Sequence, residues 1–226
     1  MSLCLLLLLA VPDDKATDPR SALRPFQELI GRWKATGTLD GQRGAKAHWV
    51  ETVEWAWQLK GEAAKLTVTF ENGKHFTKGE LDALPGSAGY RLRLFTVDGI
   101  EQEFRGTLAD RQLTLERTDP AGGETQRLVF KLVGEARFLY RYETKPADKE
   151  LFTRRYNVGA TKEGSAFAGA GSGGPECIVT GGRATMPVTH KGQTYYVCCS
   201  GCRDAFNEEP EKYIKEYEAK KKGGKP

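Results

Sequence analysis

Four of the five cysteines in this 226-residue chain lie between positions 177 and 202. Cys177 is followed by twenty residues and then by Cys198, Cys199, Ser200, Gly201 and Cys202. Soft thiolates gathered at one place suit Zn²⁺, the first choice, or Cu⁺. A metal is also what a segment this short needs in order to fold. Such a site rejects Mg²⁺ and Ca²⁺, which take oxygen ligands. Two other chemistries compete. A disulfide framework would suit an exported chain, but adjacent Cys198 and Cys199 cannot easily both pair within so small a unit. A redox pair Cys199-x-x-Cys202 normally opens a helix in a βαβ setting, and no such pattern surrounds it.

The surrounding residues indicate how the sulfurs are brought together. The β-prone run 194–197 places Cys198 at a strand end. Residues 200–207 suit a short helix, so Cys198 and Cys202 stand one turn apart and their sulfurs converge at its start. A helix N-terminus also favours thiolate over thiol. Cys177 sits at a turn marked by Gly181 and Gly182. Pro210 fits the first turn of a second helix, whose Tyr213, Ile214 and Tyr217 form an apolar side to lay over the site.

This stretch resembles the TRASH/YHS family of small treble-clef-like metal-binding modules. The matching residues are Cys177, Cys198, Cys202 and Phe206, with Val179, Gly181, the Lys191-Gly192 turn, Tyr195, Tyr196, Asn207, Pro210, Glu211, Lys212 and Tyr213. The resemblance covers about residues 175–217. It implies a non-enzymatic metal-binding protein that traffics or senses zinc or copper. Many relatives carry a second cysteine in the first turn, where this chain has Thr180. The fourth ligand is therefore open. Cys199 is the first choice and His190 the second, reachable if 189–197 folds back as a hairpin; the third reading leaves the position to a partner.

The preceding region alternates. Val53, Trp55, Trp57 and Leu59 are apolar at a period of two, as are Leu66, Val68 and Phe70, then Leu92 and Leu94, Leu113 and Leu115, and Phe138, Tyr140 and Tyr142. Turn signals such as Asn72-Gly73, Pro85-Gly86, Asp98-Gly99 and Gly122-Gly123 separate the runs. This predicts an antiparallel meander of eight to ten short strands, a sheet that tends to close and so remove its edges. A short helix over 22–30, with Phe26, Leu29 and Ile30 on one side, precedes it. Gly31-Arg32-Trp33 then opens the first strand. That arrangement resembles the lipocalin and fatty-acid-binding-like (calycin) superfamily. It implies a barrel over about 24–157 whose Trp33 closes one end, packed by Arg154 or Arg155, with a small apolar molecule as ligand. Some relatives hold haem on a histidine, for which only His48 and His75 are available here. Trp55 and Trp57 read first as core and second as a pocket lining. No catalytic constellation is evident.

The fold class is thus mainly β, an antiparallel calycin-like β-barrel plus a small α+β treble-clef-like metal-binding module. Residues 1–23 form an apolar N-terminus and linker. The run 5–9 fits the core of an export signal, too short to span a bilayer, though no Lys or Arg precedes it. Cys4 comes too early for a lipid anchor. The glycine-rich segment 158–175 is a flexible linker, 176–220 the cysteine module and 221–226 a basic tail. A linker of that composition predicts two units that do not pack on each other. The 34 basic residues are interleaved with 30 acidic ones at net +4, which argues against nucleic acid as a partner. Two functions follow. Either the metal module is the working part, or the barrel binds or acts on a small apolar molecule and the metal is a structural staple.

Overall fold

The computed structural model describes residues 18–134, 136–163, 175–182 and 184–223. The export-signal reading of the N-terminus, Cys4 included, lies outside them, as does most of the glycine-rich segment.

Ten strands form a closed antiparallel barrel: β1 (Gly31–Leu39), β2 (His48–Lys60), β3 (Ala63–Glu71), β4 (Phe76–Ala83), β5 (Gly89–Thr96), β6 (Glu101–Ala109), β7 (Gln112–Thr118), β8 (Thr125–Leu132), β9 (Arg137–Lys145) and β10 (Thr153–Lys162). Each strand pairs with its sequence neighbour, and β10 returns to β1 to close the ring. The alternating pattern sets the register. Trp33, Val53, Trp55, Trp57, Leu66, Val68, Leu81, Leu92, Leu115, Leu128 and Phe138 point inward and are almost fully buried. β10 continues to Lys162, so its last residues lie in the segment expected to be linker. Val158 and Ala160 point inward and pair with Tyr140 and Phe138.

One end of the barrel is plugged. In place of a single helix over 22–30, a short α1 (Pro19–Leu23), capped by the Asp18 carboxylate, runs into a 3-10 turn over Arg24–Leu29. Pro25 explains the break, because it has no N–H to continue the α ladder. Leu23, Phe26 and Leu29 fill the opening. The Trp33 indole donates to the Leu29 carbonyl at 2.7 Å. The cation over Trp33 is Lys162, 5.0 Å from the ring. Arg154 and Arg155 are not involved, since they stand at the other end of β10, beside Asp40 and Thr144.

The cysteine module adds the hairpin β11 (Met186–His190) and β12 (Gln193–Val197), then α2 (Ser200–Glu208) and α3 (Pro210–Gly223), which runs past the expected boundary at residue 220. Its order, a cysteine turn, a hairpin and a helix, is treble-clef-like. It does not stand apart from the barrel. α2 packs on β2, and the buried side chains of both units form one continuous apolar cluster. The glycine-rich segment therefore joins two parts that pack together, contrary to what its composition suggests. Among the described residues no helix is long and apolar enough to cross a membrane.

Candidate metal centre

Three backbone features bring the sulfurs together. The turn at Cys177 is closed by the Gly181 N–H on the Cys177 carbonyl at 2.8 Å and the Cys177 N–H on the Gly182 carbonyl at 2.6 Å. The Ile178 N–H donates to the Tyr196 carbonyl at 2.9 Å, which fastens this turn to β12. Cys198 follows the last residue of β12, and Cys199 is the N-cap of α2 with extended backbone. The chain thus turns between Cys198 and Cys199, and α2 carries Cys202 back toward Cys198.

The Sγ atoms of Cys177, Cys198 and Cys202 lie within 4.8 Å of one another, and those of Cys198 and Cys202 are 3.5 Å apart. Cys177, Cys198, Cys199 and Cys202 are 0, 7, 6 and 0% exposed, and none is in a disulfide. The Thr180 hydroxyl is 3.6 Å from the Cys198 sulfur. Cys199 lies outside the trio. Its sulfur accepts the Trp57 backbone N–H from β2 at 3.4 Å.

The sulfurs shift one another's hold on a proton. Hydrogen bonds from Cys198, then Cys202, pull the Cys177 thiol far below the ordinary thiol range. Those from Cys198 and Cys202 also pull Cys199 down, and the Trp57 N–H acts in the same direction. Cys198 and Cys202 are pushed up, each first through its hydrogen bond to Cys177. Each of the four sulfurs thus shifts its neighbours through shared protons. A soft divalent or monovalent cation fits such a donor set, because it can replace those shared protons.

His190 stands elsewhere. The Lys191-Gly192 turn, with both residues at positive φ, pairs His190 with Gln193 and Met186 with Val197. His190 is therefore at the far end of the hairpin, about 16 Å along the strand from Cys198 at ~3.3 Å per residue. Its Nε2 is 3.1 Å from Glu211. The expected fold-back occurs, but it carries His190 away from the sulfurs.

The contact with the barrel was not foreseen from sequence. The β1–β2 ladder ends at the pair Gly31–Trp55, so the edge of β2 beyond it is open. Cys199 takes the Trp57 N–H there, and the first turn of α2 lies against the Trp57 carbonyl. A Cβ on Gly201 would stand 1.6 Å from that oxygen, so only glycine fits. The Trp57 indole donates to the Gln27 side chain at 3.0 Å, and Gln27 packs against Gly182 of the cysteine turn. Arg20 pairs with Glu216 at 3.6 Å and lies over Tyr213, tying α1 to α3. A cleft of about 1090 Å³ opens between α1, the β4–β5 loop and α3; its wall includes Val179 and Thr180, so it stops short of the sulfurs.

The histidines in the barrel hold nothing evident. His48 is exposed, with Nδ1 3.2 Å from the Thr38 hydroxyl. His75 stacks on Tyr156 at 4.2 Å near the open end, and burial lowers its pKa to about 4. Beside it Glu51, only 1% exposed, accepts from the Tyr140 hydroxyl and from the Trp49 indole at 3.0 Å.

No family model matches the chain, and no curated protein does. Among solved structures it is similar to Rv2717c from M. tuberculosis, at 14% identity and a TM-score of 0.40, over 63% of this chain and 97% of that one. It is also similar to mFAP1, a redesigned β-barrel bound to DFHBI, at 16% identity and a TM-score of 0.27 over 62% and 99%. A third is EF1p2_mFAP2b bound to DFHBI, at 13% identity and 0.26 over 63% and 100%.

Proposed function

We propose that this protein is a barrel whose cysteine module is held on its wall by one thiolate-bound metal ion, Zn²⁺ before Cu⁺. The observation that supports it is the convergence of Cys177, Cys198 and Cys202 within 4.8 Å, buried where α2 meets β2. The spacing shared with TRASH/YHS modules points the same way. Burial beneath the barrel wall favours a retained structural ion over one exchanged in trafficking or sensing. Elemental analysis of the full chain should find one equivalent, lost when Cys177, Cys198 or Cys202 is replaced by Ser. An equivalent retained in all three variants would defeat the reading.

The second reading concerns the barrel interior. The indole N–H groups of Trp33, Trp49 and Trp57 each have an acceptor, whereas that of Trp55, buried in the lumen, has none. A buried donor left unpaired costs about 1–3 kcal/mol, so an acceptor atom belongs beside it. This favours a small apolar molecule bearing a carbonyl or similar oxygen as the barrel's ligand, with no catalysis implied. Titration with 2-acetylnaphthalene, a planar apolar ketone, should quench tryptophan emission saturably in the native chain and bind at least tenfold more weakly to Trp55→Phe. Absence of saturable quenching would count against it.

A further inference from the structure

We propose that the barrel wall completes the metal centre, with the backbone N–H of Trp57 as the hydrogen-bond donor that positions the Cys199 sulfur beside Cys198 and Cys202. The inference rests on the metal reading above and adds a determinant that lies outside the cysteine module. Its ground is geometric. β1 stops pairing with β2 at Trp55, and the chain before Gly31 turns away into the plug. That leaves the next outward-facing amide of β2, at Trp57, without a strand partner on that side. A buried backbone N–H must find an acceptor, and the acceptor is Cys199 Sγ at 3.4 Å.

The pairing has consequences for both units. With Cys199 taken as the fourth ligand beside the trio, the N–H donated to its sulfur withdraws electron density from it and fixes its direction, and such outer partners are worth roughly 10–100-fold in metal affinity. Affinity at the cysteines then depends on the module being seated on β2. By linkage, the ion must stabilise that seating to the same degree. Gly201 is the contact that allows it, because α2 approaches the Trp57 carbonyl too closely for any side chain.

Gly201→Ala tests this in the full chain, since it lifts α2 from β2 without altering a sulfur. Co²⁺ is the probe. The native chain should take up one equivalent with a sulfur-to-cobalt charge-transfer band. All four tryptophans lie in the barrel, and bound cobalt should quench their emission. Gly201→Ala should bind Co²⁺ roughly 10–100-fold more weakly. Its charge-transfer band should move to lower energy as the N–H is withdrawn, with less quenching. Thr194→Ala, exposed beside the Lys191-Gly192 turn, should match the native protein. Native affinity and band position in Gly201→Ala would overturn the proposal. No cobalt uptake by the native chain would overturn the metal reading itself. If Gly201→Ala loses its helical signal, Cys199→Ala removes the acceptor without crowding. Weaker binding with an altered band is then the supporting result, and unchanged binding the refuting one.

Discussion

The barrel and the cysteine module solve the same problem with different means. The barrel buries a dense core of aromatic and branched side chains and pairs its backbone around a complete ring, while the end of β2 beyond Trp55 is left unpaired on its β1 side. The module has two five-residue strands and two helices, and four of its buried positions are cysteines with free thiols. So small a unit lacks the apolar area to hold itself together. The contrast shows where each draws its stability. The barrel relies on its own alternation, and the module on the strand edge that the barrel leaves open and, in the reading proposed above, on an ion.

The largest expected effect breaks the module and spares the barrel. Cys202→Ser should abolish stoichiometric metal and expose the region 175–223 to protease while the β circular dichroism persists, because site-bound zinc supplies about 10–16 kcal/mol in comparable small modules. A module that stays protease-resistant would show that it does not depend on an ion. The reverse experiment is Trp33→Ala. Removing a fully buried indole costs about 3–5 kcal/mol, so the main thermal transition should fall steeply, while metal content per folded molecule stays at one. Loss of the metal in parallel would mean that the two regions cannot be distinguished by perturbation.

A smaller effect belongs to the open end of the barrel. The His75 imidazole is held neutral by burial and, to a lesser degree, by Lys74, with its pKa lowered to about 4. Between an unfolded pKa near 6.5 and about 4, the unfolded chain takes up a proton that the folded chain refuses. Stability therefore drops as pH falls through that window and the His75 contribution levels off below it. His75→Phe, which keeps a ring against Tyr156, should flatten the part of the denaturant midpoint's pH dependence that lies between pH 6.5 and 4. An identical profile would place the titration elsewhere. The smallest effect is His190→Ala, which should leave metal affinity within about twofold, since surface substitutions away from a site change little. A marked loss would return His190 to the ligand set.

The barrel was legible because burial follows the alternation at Val53, Trp55 and Trp57 and again at Leu66, Val68 and Phe70. What misled was composition. Gly159 and Ala160 look like linker, yet Ala160 points into the core and both pair with β1. The gathering of Cys177, Cys198 and Cys202 was expected from their spacing together with the TRASH/YHS resemblance, which put Cys199 in the same set. The position of His190 was also available, since a two-residue turn at Lys191-Gly192 forces His190 opposite Gln193 and away from Cys198. The seating of α2 on β2 was not legible. It is made by a backbone amide and by the absence of a side chain at Gly201, and neither leaves a hydrophobic pattern to read.

An ion that clamps the module to the barrel should be felt by the barrel itself. The full chain would be melted with and without a strong chelator, followed by tryptophan emission from the barrel. The chelator should lower the barrel's midpoint by several degrees, because an ion that binds only the assembled state stabilises it by mass action. A barrel transition unchanged by the chelator, in protein shown to carry one equivalent of metal beforehand, would contradict the clamp.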